Sequence, residues 1–269
     1  MTESGTAAWL GAKQATYAAR RPPWTGYVLG GVILLGGGTP LLIAMAVALG
    51  ASIPLLAFSL MYAVFGWMLI EKIKLARRGR NARLDLFQHG AVVTTHDGKA
   101  HAFGWDSVRV HQDVLHSRKN GVTESSHVYT LIGEDGVALT IGDTRRTSTS
   151  RYAGIAAHMQ GAEFTDPEQW GPAIVQAVSE TQLRRALEDV ARGRELIFNT
   201  IRLSLNGMEF KGQTLPWPRI REMRPVNGRL HVKEDGRRLL SMDVPVSSIP
   251  NFPVFYTLAK RLHEATRQS

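Results

Sequence analysis

Cysteine is absent from this chain of 269 residues. Its absence excludes disulfide bonds, thiolate nucleophiles and cysteine-ligated zinc or iron–sulfur centres, and it is compatible with a reducing compartment. Charged residues make up an ordinary 20% of the chain, but they are missing from one long stretch: residues 24–70 contain no Asp, Glu, Lys, Arg or His. The sequence therefore divides into an uncharged region and a charged remainder.

The uncharged stretch is 47 residues long and predicts a transmembrane anchor. A bilayer core of roughly 30 Å is crossed by about 20 helical residues, so two helices joined by a tight turn fit this length better than one. We place the turn at 50–52 and the spans at 27–49 and 53–70. A buried helical hairpin is the alternative. Gly26 and Gly30 match the small-xxx-small pattern of helix packing, which predicts a homodimer.

The formal net charge of +9 is concentrated beside this stretch. Residues 1–83 hold nine Lys or Arg against two acidic residues, and the rest of the chain is nearly balanced. This distribution favours an anchor in the lipid bilayer over a nucleic-acid-binding domain. Basic residues on both sides predict a multi-pass protein of the cell membrane with both termini cytoplasmic. The basic run after the second span consists of Lys72, Lys74, Arg77, Arg78, Arg80 and Arg83.

Beyond residue 83 the pattern changes to short alternating stretches separated by turn residues, which is typical of antiparallel β structure. Asp97-Gly98 and Asp135-Gly136 each lie between two such stretches and predict tight hairpins. We expect Asp166 and Asn251 to cap helices. Helical spacing of apolar residues predicts three helices, over 148–159, 167–192 and 251–266.

The β region carries an internal repeat. Residues 86–90 are echoed by 203–207, Trp105 by Trp217, and the 134–136 turn by 234–236, and a helix follows in both copies. This order predicts a duplicated β unit that ends in a helix. The expected organisation is an N-terminal segment at 1–23, a two-helix anchor at 24–70, a basic linker at 71–83, unit 1 at 84–193 and unit 2 at 194–269.

A small bent antiparallel sheet closed by a C-terminal helix is the pleckstrin-homology-like (PH-like) architecture. Three short motifs carry a resemblance: Leu84-Asp85-Leu86-Phe87-Gln88-His89-Gly90, Leu215-Pro216-Trp217 and Ile249-Pro250-Asn251. Together with the two-span anchor and the basic run, they resemble an uncharacterised family of bacterial membrane proteins with PH-like domains. The resemblance implies an α+β fold, with a transmembrane helical hairpin followed by tandem PH-like units. It implies no activity and no site residues.

Candidate catalytic and metal-binding residues are few. No metal site is expected, because the six histidines between His89 and His127 have no ligand spacing on one helix and no HExxH motif occurs. We interpret them as solvated strand and loop residues. A serine elbow and a phosphate-binding glycine loop are also missing, so no enzyme and no cofactor is predicted. Trp105 and Trp217 are expected in the sheet cores.

Two basic clusters suit anionic lipid headgroups: the run from Lys72 to Arg83, and Arg145-Arg146 among hydroxyl residues. Solvated loops and topology signals are the alternatives. The sequence predicts a membrane-anchored, non-catalytic binding or scaffold protein of the cytoplasmic face, in contact with the bilayer through residues 24–70. An anionic-lipid-sensing module is the alternative function, and an enzyme of unknown class is a more distant one.

Overall fold

The computed structural model describes residues 8–20, 64, 66–68, 70–71, 81–119, 122–143, 154–237 and 239–268. Of residues 116–119 and 122–124 it describes only the backbone. Four β-sheets dominate the described chain.

The expected transmembrane hairpin is wrong, and the fold class, membrane assignment and multi-pass localisation that included it are corrected with it. Across the described residues, no helix has both the length and the apolar character needed to cross a bilayer. Most of the range 24–70, including Gly26 and Gly30, lies outside those residues. Physically, an uncharged run meets the length condition for two spans, but length and hydropathy alone do not make a spanning helix.

Unit 1, which in the structure also takes in strand residues of the expected N-terminal segment and linker, contains two sheets. Sheet I has the antiparallel order β1-β2-β3-β4. Sheet II has the order β5-β6-β7-β8, in which β8 runs parallel to β7. A bridge between Ala19 and Phe164 links the two sheets at one corner. The strands are β1 (Lys13–Ala18), β2 (Arg83–Phe87), β3 (Gly90–Thr94), β4 (Ala100–Gly104), β5 (Arg109–Lys119), β6 (Val122–Ile132), β7 (Val137–Gly142) and β8 (Ala157–Gln160).

Unit 2 contains a shorter pair of antiparallel sheets. Sheet III has the order β12-β11-β10-β9 and sheet IV the order β13-β14-β15. The strands are β9 (Leu196–Phe198), β10 (Ile201–Ser204), β11 (Gly207–Phe210), β12 (Gln213–Pro216), β13 (Ile220–Val226), β14 (Arg229–Glu234) and β15 (Met242–Pro245).

A long helix follows each pair of sheets: α1 (Pro167–Ala191) after unit 1 and α2 (Phe252–Gln268) after unit 2. Both were expected from the sequence and are confirmed. The helix expected over 148–159 is wrong where it is described, because Ala157–Gln160 forms strand β8 against β7. Residues 148–153 lie outside the described residues. Pairing with an open strand edge outweighs weak local helix propensity in so short a segment.

Two hydrophobic cores lie one in each unit, and helix α1 contributes to both. Trp170, Ile174 and Val178 from its first half are buried in the core of unit 1. Val190 near its end is buried in the core of unit 2. Because one continuous helix buries its two halves in different cores, the units can separate only if the helix bends or one half leaves its core and exposes apolar surface.

The two units share the same tryptophan corner. Trp105 donates its indole N–H to the carbonyl of Phe87 at 3.2 Å, and Trp217 donates to the carbonyl of Ser204 at 3.0 Å. Both side chains are buried in the cores, as expected. The backbone N–H groups of the two tryptophans also bond to matching carbonyls, in His89 and Asn206. The chain therefore turns from the first sheet to the second in the same way in each unit.

Candidate functional site

The best-defined polar cluster lies where unit 2 meets strand β5 of unit 1. Within the described part of the chain, β5 pairs with β6 on one side only. Its other edge meets Asn251: the Val110 N–H donates to the Asn251 side-chain oxygen at 2.7 Å, and the Asn251 N–H donates to the Val110 carbonyl at 2.8 Å. An exposed strand edge is thereby covered by the other unit.

The side-chain amide of Asn251 continues this contact into a network. Its nitrogen donates to the Val108 carbonyl at 3.1 Å and to the side-chain oxygen of Gln182 at 2.8 Å. Gln182, on helix α1, donates in turn to the carbonyls of Trp105 at 2.8 Å and Val108 at 3.0 Å. Asn251 is only 8% exposed, so each of these bonds replaces solvent that the amide has lost. We call this set of bonds the junction network.

The backbone of Asn251 suits the position. Its φ is 48°, in the left-handed region that asparagine tolerates better than most residues. That conformation ends the extended segment before α2 and starts the helix. The expected cap by the Asn251 side chain is wrong, because the side chain points to unit 1 instead of to the first turn of its own helix.

His111 makes a second contact between the units. It is 3% exposed, and its Nδ1 lies 2.9 Å from the carbonyl of Ser247, which can only accept, so Nδ1 carries the proton. Burial lowers the pKa of His111 to about 4. The bond to Ser247 opposes that shift, and the nearby charge of Arg109 adds to it. The imidazole is therefore neutral at neutral pH. The interpretation of His111 as a solvated strand residue is wrong.

A shallow pocket with about 10 Å³ of free volume, room for about one water molecule, opens beside the junction network. Apolar side chains form most of its wall, and two of its three polar side chains have structural partners: Ser179 donates to the Val175 carbonyl at 2.7 Å, and Asn251 belongs to the network. No nucleophile or general base is positioned at this pocket. The lining residues are Val110, Gln112, Val175, Val178, Ser179, Asn251, Phe252 and Pro253.

Metal binding has no support in the described residues, which contain no group of three or more His, Asp or Glu side chains placed to hold an ion. The histidines of the 89–127 stretch are distributed over several strands and turns of unit 1. Side-chain positions are not described for His116.

The basic residues proposed for lipid headgroups fall mostly outside the described chain: Lys72, Lys74, Arg77, Arg78, Arg80, Arg145 and Arg146. Arg83 is described, and its Nε lies 2.9 Å from the carboxylate of Asp85. Asp85 is buried and also binds Lys13 at 2.9 Å and the Thr16 hydroxyl at 2.7 Å. Arg83 therefore compensates a buried charge of sheet I, which is a structural role.

Sequence reasoning missed Gln182 altogether. It lies on a predicted helix with no local motif, and its partners Trp105, Val108 and Asn251 are each at least 69 residues away along the chain. The only local signal for Asn251 was its place before a helix, which suggested the wrong role. Residues that act through such distant contacts leave no periodic pattern in the sequence.

Comparison with known proteins identifies a family without identifying an activity. The model of a family of unknown function, DUF6585, matches residues 4–268. The chain belongs to this family. No curated protein and no solved structure matches. The membership agrees with the expected resemblance to an uncharacterised family, but the bacterial, two-span and PH-like parts of that resemblance have no support.

Proposed function

We propose that this DUF6585 protein is a non-catalytic binding or scaffold protein whose two β units act as one rigid body. The junction network carries the proposal. Bonds between Asn251 and Val110, and between Asn251 and Gln182, fix unit 2 against both the strand edge and the helix of unit 1. A fixed relative position lets two units present two surfaces in a preset geometry, which lowers the entropy cost of binding both to one partner.

The chemistry of the junction supports binding over catalysis. Catalytic sites combine a concave pocket with convergent polar groups of shifted pKa. At this pocket Ser179 donates to a backbone carbonyl and Asn251 bonds to Val108 and Gln182. Nearby, His111, whose pKa is strongly shifted, is bonded to Ser247 and neutral. The buried polar groups here hold the chain together.

The test uses photo-crosslinking of the full chain in the cells that produce it. A photoreactive residue replaces Leu115 in unit 1 or Ile197 in unit 2, both exposed. Asn251→Asp is then added, because a carboxylate keeps the shape of the amide but cannot donate to Val108 or Gln182. Asn206→Ala, at an exposed turn of unit 2, is the matched control.

We expect discrete protein adducts in the parent and in the Asn206→Ala control. Their yield should fall about tenfold in Asn251→Asp, as a loss of roughly 1.4 kcal/mol in binding predicts. Near-ultraviolet circular dichroism establishes that each variant is folded. An unchanged yield in folded Asn251→Asp would show that a fixed junction is not needed. No adducts from either position would remove the proposal.

A further inference from the structure

Unit 1 exposes a tryptophan beside a carboxylate at one of its ends. Trp9, in the short turn before β1, is 56% exposed, whereas the two corner tryptophans are buried. A side-chain carbon at Gly104 would lie 2.6 Å from the Asp106 carboxylate and 3.1 Å from the Trp9 ring. Both side chains therefore pack against the same glycine. The Asp106 carboxylate, itself exposed, lies next to an indole ring that is largely open to solvent.

Two further carboxylates belong to the same end. Glu134 and Asp135 lie in the β6–β7 turn, and both are exposed. Arg109, the first residue of β5, pairs with Ile132, the last residue of β6. The tryptophan corner before β5 and the turn after β6 therefore extend from the same end of one hairpin. We call Trp9, Asp106, Glu134 and Asp135 the Trp9 surface.

The exposed charge of this end is mainly negative. The described residues form no ion pair with Asp106 or Glu134. Arg109 begins at this end, and its guanidinium donates to the Gly154 carbonyl at 3.4 Å. Lys13 is bound to the buried carboxylate of Asp85 at 2.9 Å, so that pair adds no net charge. An exposed aromatic ring with negative charge around it attracts a cationic group.

Unit 2 shows which cation its own corresponding end receives. There the carboxylate of Glu234, at the end of β14, is bound by two guanidinium groups, those of Arg219 at 3.9 Å and Arg237 at 3.0 Å. Arg219 follows the corner tryptophan of unit 2 by two positions, and Ser107 holds that position in unit 1. The chain thus supplies an arginine to the acidic end of unit 2 from a position where unit 1 has a serine.

We propose that the Trp9 surface binds an arginine-containing segment of a partner protein. A planar guanidinium group can stack on an indole ring and bond to a neighbouring carboxylate at the same time. A lysine ammonium is a compact, strongly hydrated charge and suits this combination less well. The inference deepens the proposed binding function by naming the chemistry of the partner. Because the Trp9 surface lies in unit 1 alone, it needs no fixed junction, and the two proposals can fail separately.

Binding of a short labelled peptide to the full chain tests the proposal. The probe carries two arginines among glycines and serines, and matched peptides carry lysine or the uncharged analogue citrulline instead. Fluorescence anisotropy gives the Kd for the parent, for Trp9→Ala and for the double variant Asp106→Asn with Glu134→Gln. Glu195→Gln, which removes an exposed carboxylate of unit 2, is the matched control. Circular dichroism establishes that each variant is folded.

We expect the arginine peptide to bind the parent more tightly than the lysine peptide, and at least about tenfold more tightly than the citrulline peptide. Trp9→Ala should weaken binding about threefold or more. The double variant should also bind more weakly and lose most of the salt dependence, whereas Glu195→Gln should bind like the parent.

Equal binding of the arginine and citrulline peptides, or no binding of either, would overturn the proposal. So would an unchanged Kd in folded Trp9→Ala or in the double variant, or an equal loss in Glu195→Gln. Analytical ultracentrifugation covers the remaining occupant: self-association of the parent that disappears in Trp9→Ala would assign the surface to a second copy of the chain instead.

Discussion

The two units have the same tryptophan corner but differ on the outer face of their first sheet. In unit 1 this face carries Phe87 and Val92, which are buried under Leu10. The repeat places Ser204 and Glu209 at the corresponding positions of unit 2, and both are partly exposed. Two copies of one backbone arrangement thus present different surfaces. The inward-facing residues maintain the fold, and the outward-facing residues decide whether another segment packs on it.

The units also differ in the residue that precedes each helix. Asp166 and Asn251 both have a left-handed backbone, with φ of 55° and 48°. Asp166 makes no side-chain bond to its helix, whereas Asn251 holds the junction network. The duplicated conformation has therefore acquired a role in joining the units in only one copy.

Replacing the corner tryptophans tests what the units share. Trp105→Ala and Trp217→Ala should each lower the free energy of unfolding by about 3–5 kcal/mol, because each change empties a core and removes an indole hydrogen bond. Denaturant unfolding followed by circular dichroism measures this. Since α1 packs in both cores, we expect one transition for either variant. Two separated transitions, or a cost below about 1 kcal/mol in one unit only, would contradict the equivalence of the corners.

Removing Leu10 tests what the units do not share. Leu10→Ala should cost about 3 kcal/mol, since the side chain is fully buried against Phe87 and Val92. Leu205→Ala, at an exposed turn of unit 2, should change the stability by less than about 0.5 kcal/mol. The same unfolding measurement compares the two. Equal effects would show that the outer face of sheet I gains nothing from its cover.

Local signals predicted much of the β structure. The hairpins at Asp97-Gly98 and Asp135-Gly136 are confirmed, with positive φ at Gly98 and Gly136, because a tight turn is encoded by its own residues. Helix α1 was also predictable, from apolar residues at roughly helical spacing. These features depend on neighbours in sequence, which a single chain displays directly.

Features that depend on distant partners were predicted poorly. The segment at 157–160 became a strand only because β7 offers an edge. The Gln182–Asn251 bond joins residues 69 positions apart, and the burial of His111 follows from packing of the other unit. The long uncharged run led to a spanning anchor through composition alone. For the strand, the bond and the buried histidine, the deciding contact has no signature in local sequence.

Glycine substitutions at Asp166 and Asn251, the left-handed residues before the two helices, test whether only Asn251 joins the units. Asn251→Gly keeps the backbone conformation but leaves the Val110 N–H and the Gln182 side-chain oxygen without a partner, so it should cost about 2 kcal/mol. Asp166→Gly should be neutral within about 0.5 kcal/mol, because Asp166 has no side-chain bond to its helix and glycine adopts positive φ freely. Thermal or denaturant unfolding reports both. Similar costs at the two sites would mean that the junction network contributes little.

Acidification tests the junction through His111, the buried histidine that contacts the other unit. Its pKa in the folded protein is about 4, below the ordinary value of 6.5, so on acidification the unfolded chain takes up the proton first. The burial of neutral His111 therefore stabilises the folded protein fully above pH 6.5, and this stabilisation is lost as the pH falls toward 4. Near pH 5 the loss of unfolding free energy should be about 1–2 kcal/mol.

The variant His111→Asn isolates this contribution, because asparagine keeps a donor for the Ser247 carbonyl but does not titrate. The difference in unfolding free energy between parent and variant should therefore change with pH over this range. A constant difference would show that His111 is not buried in neutral form at the contact between the units.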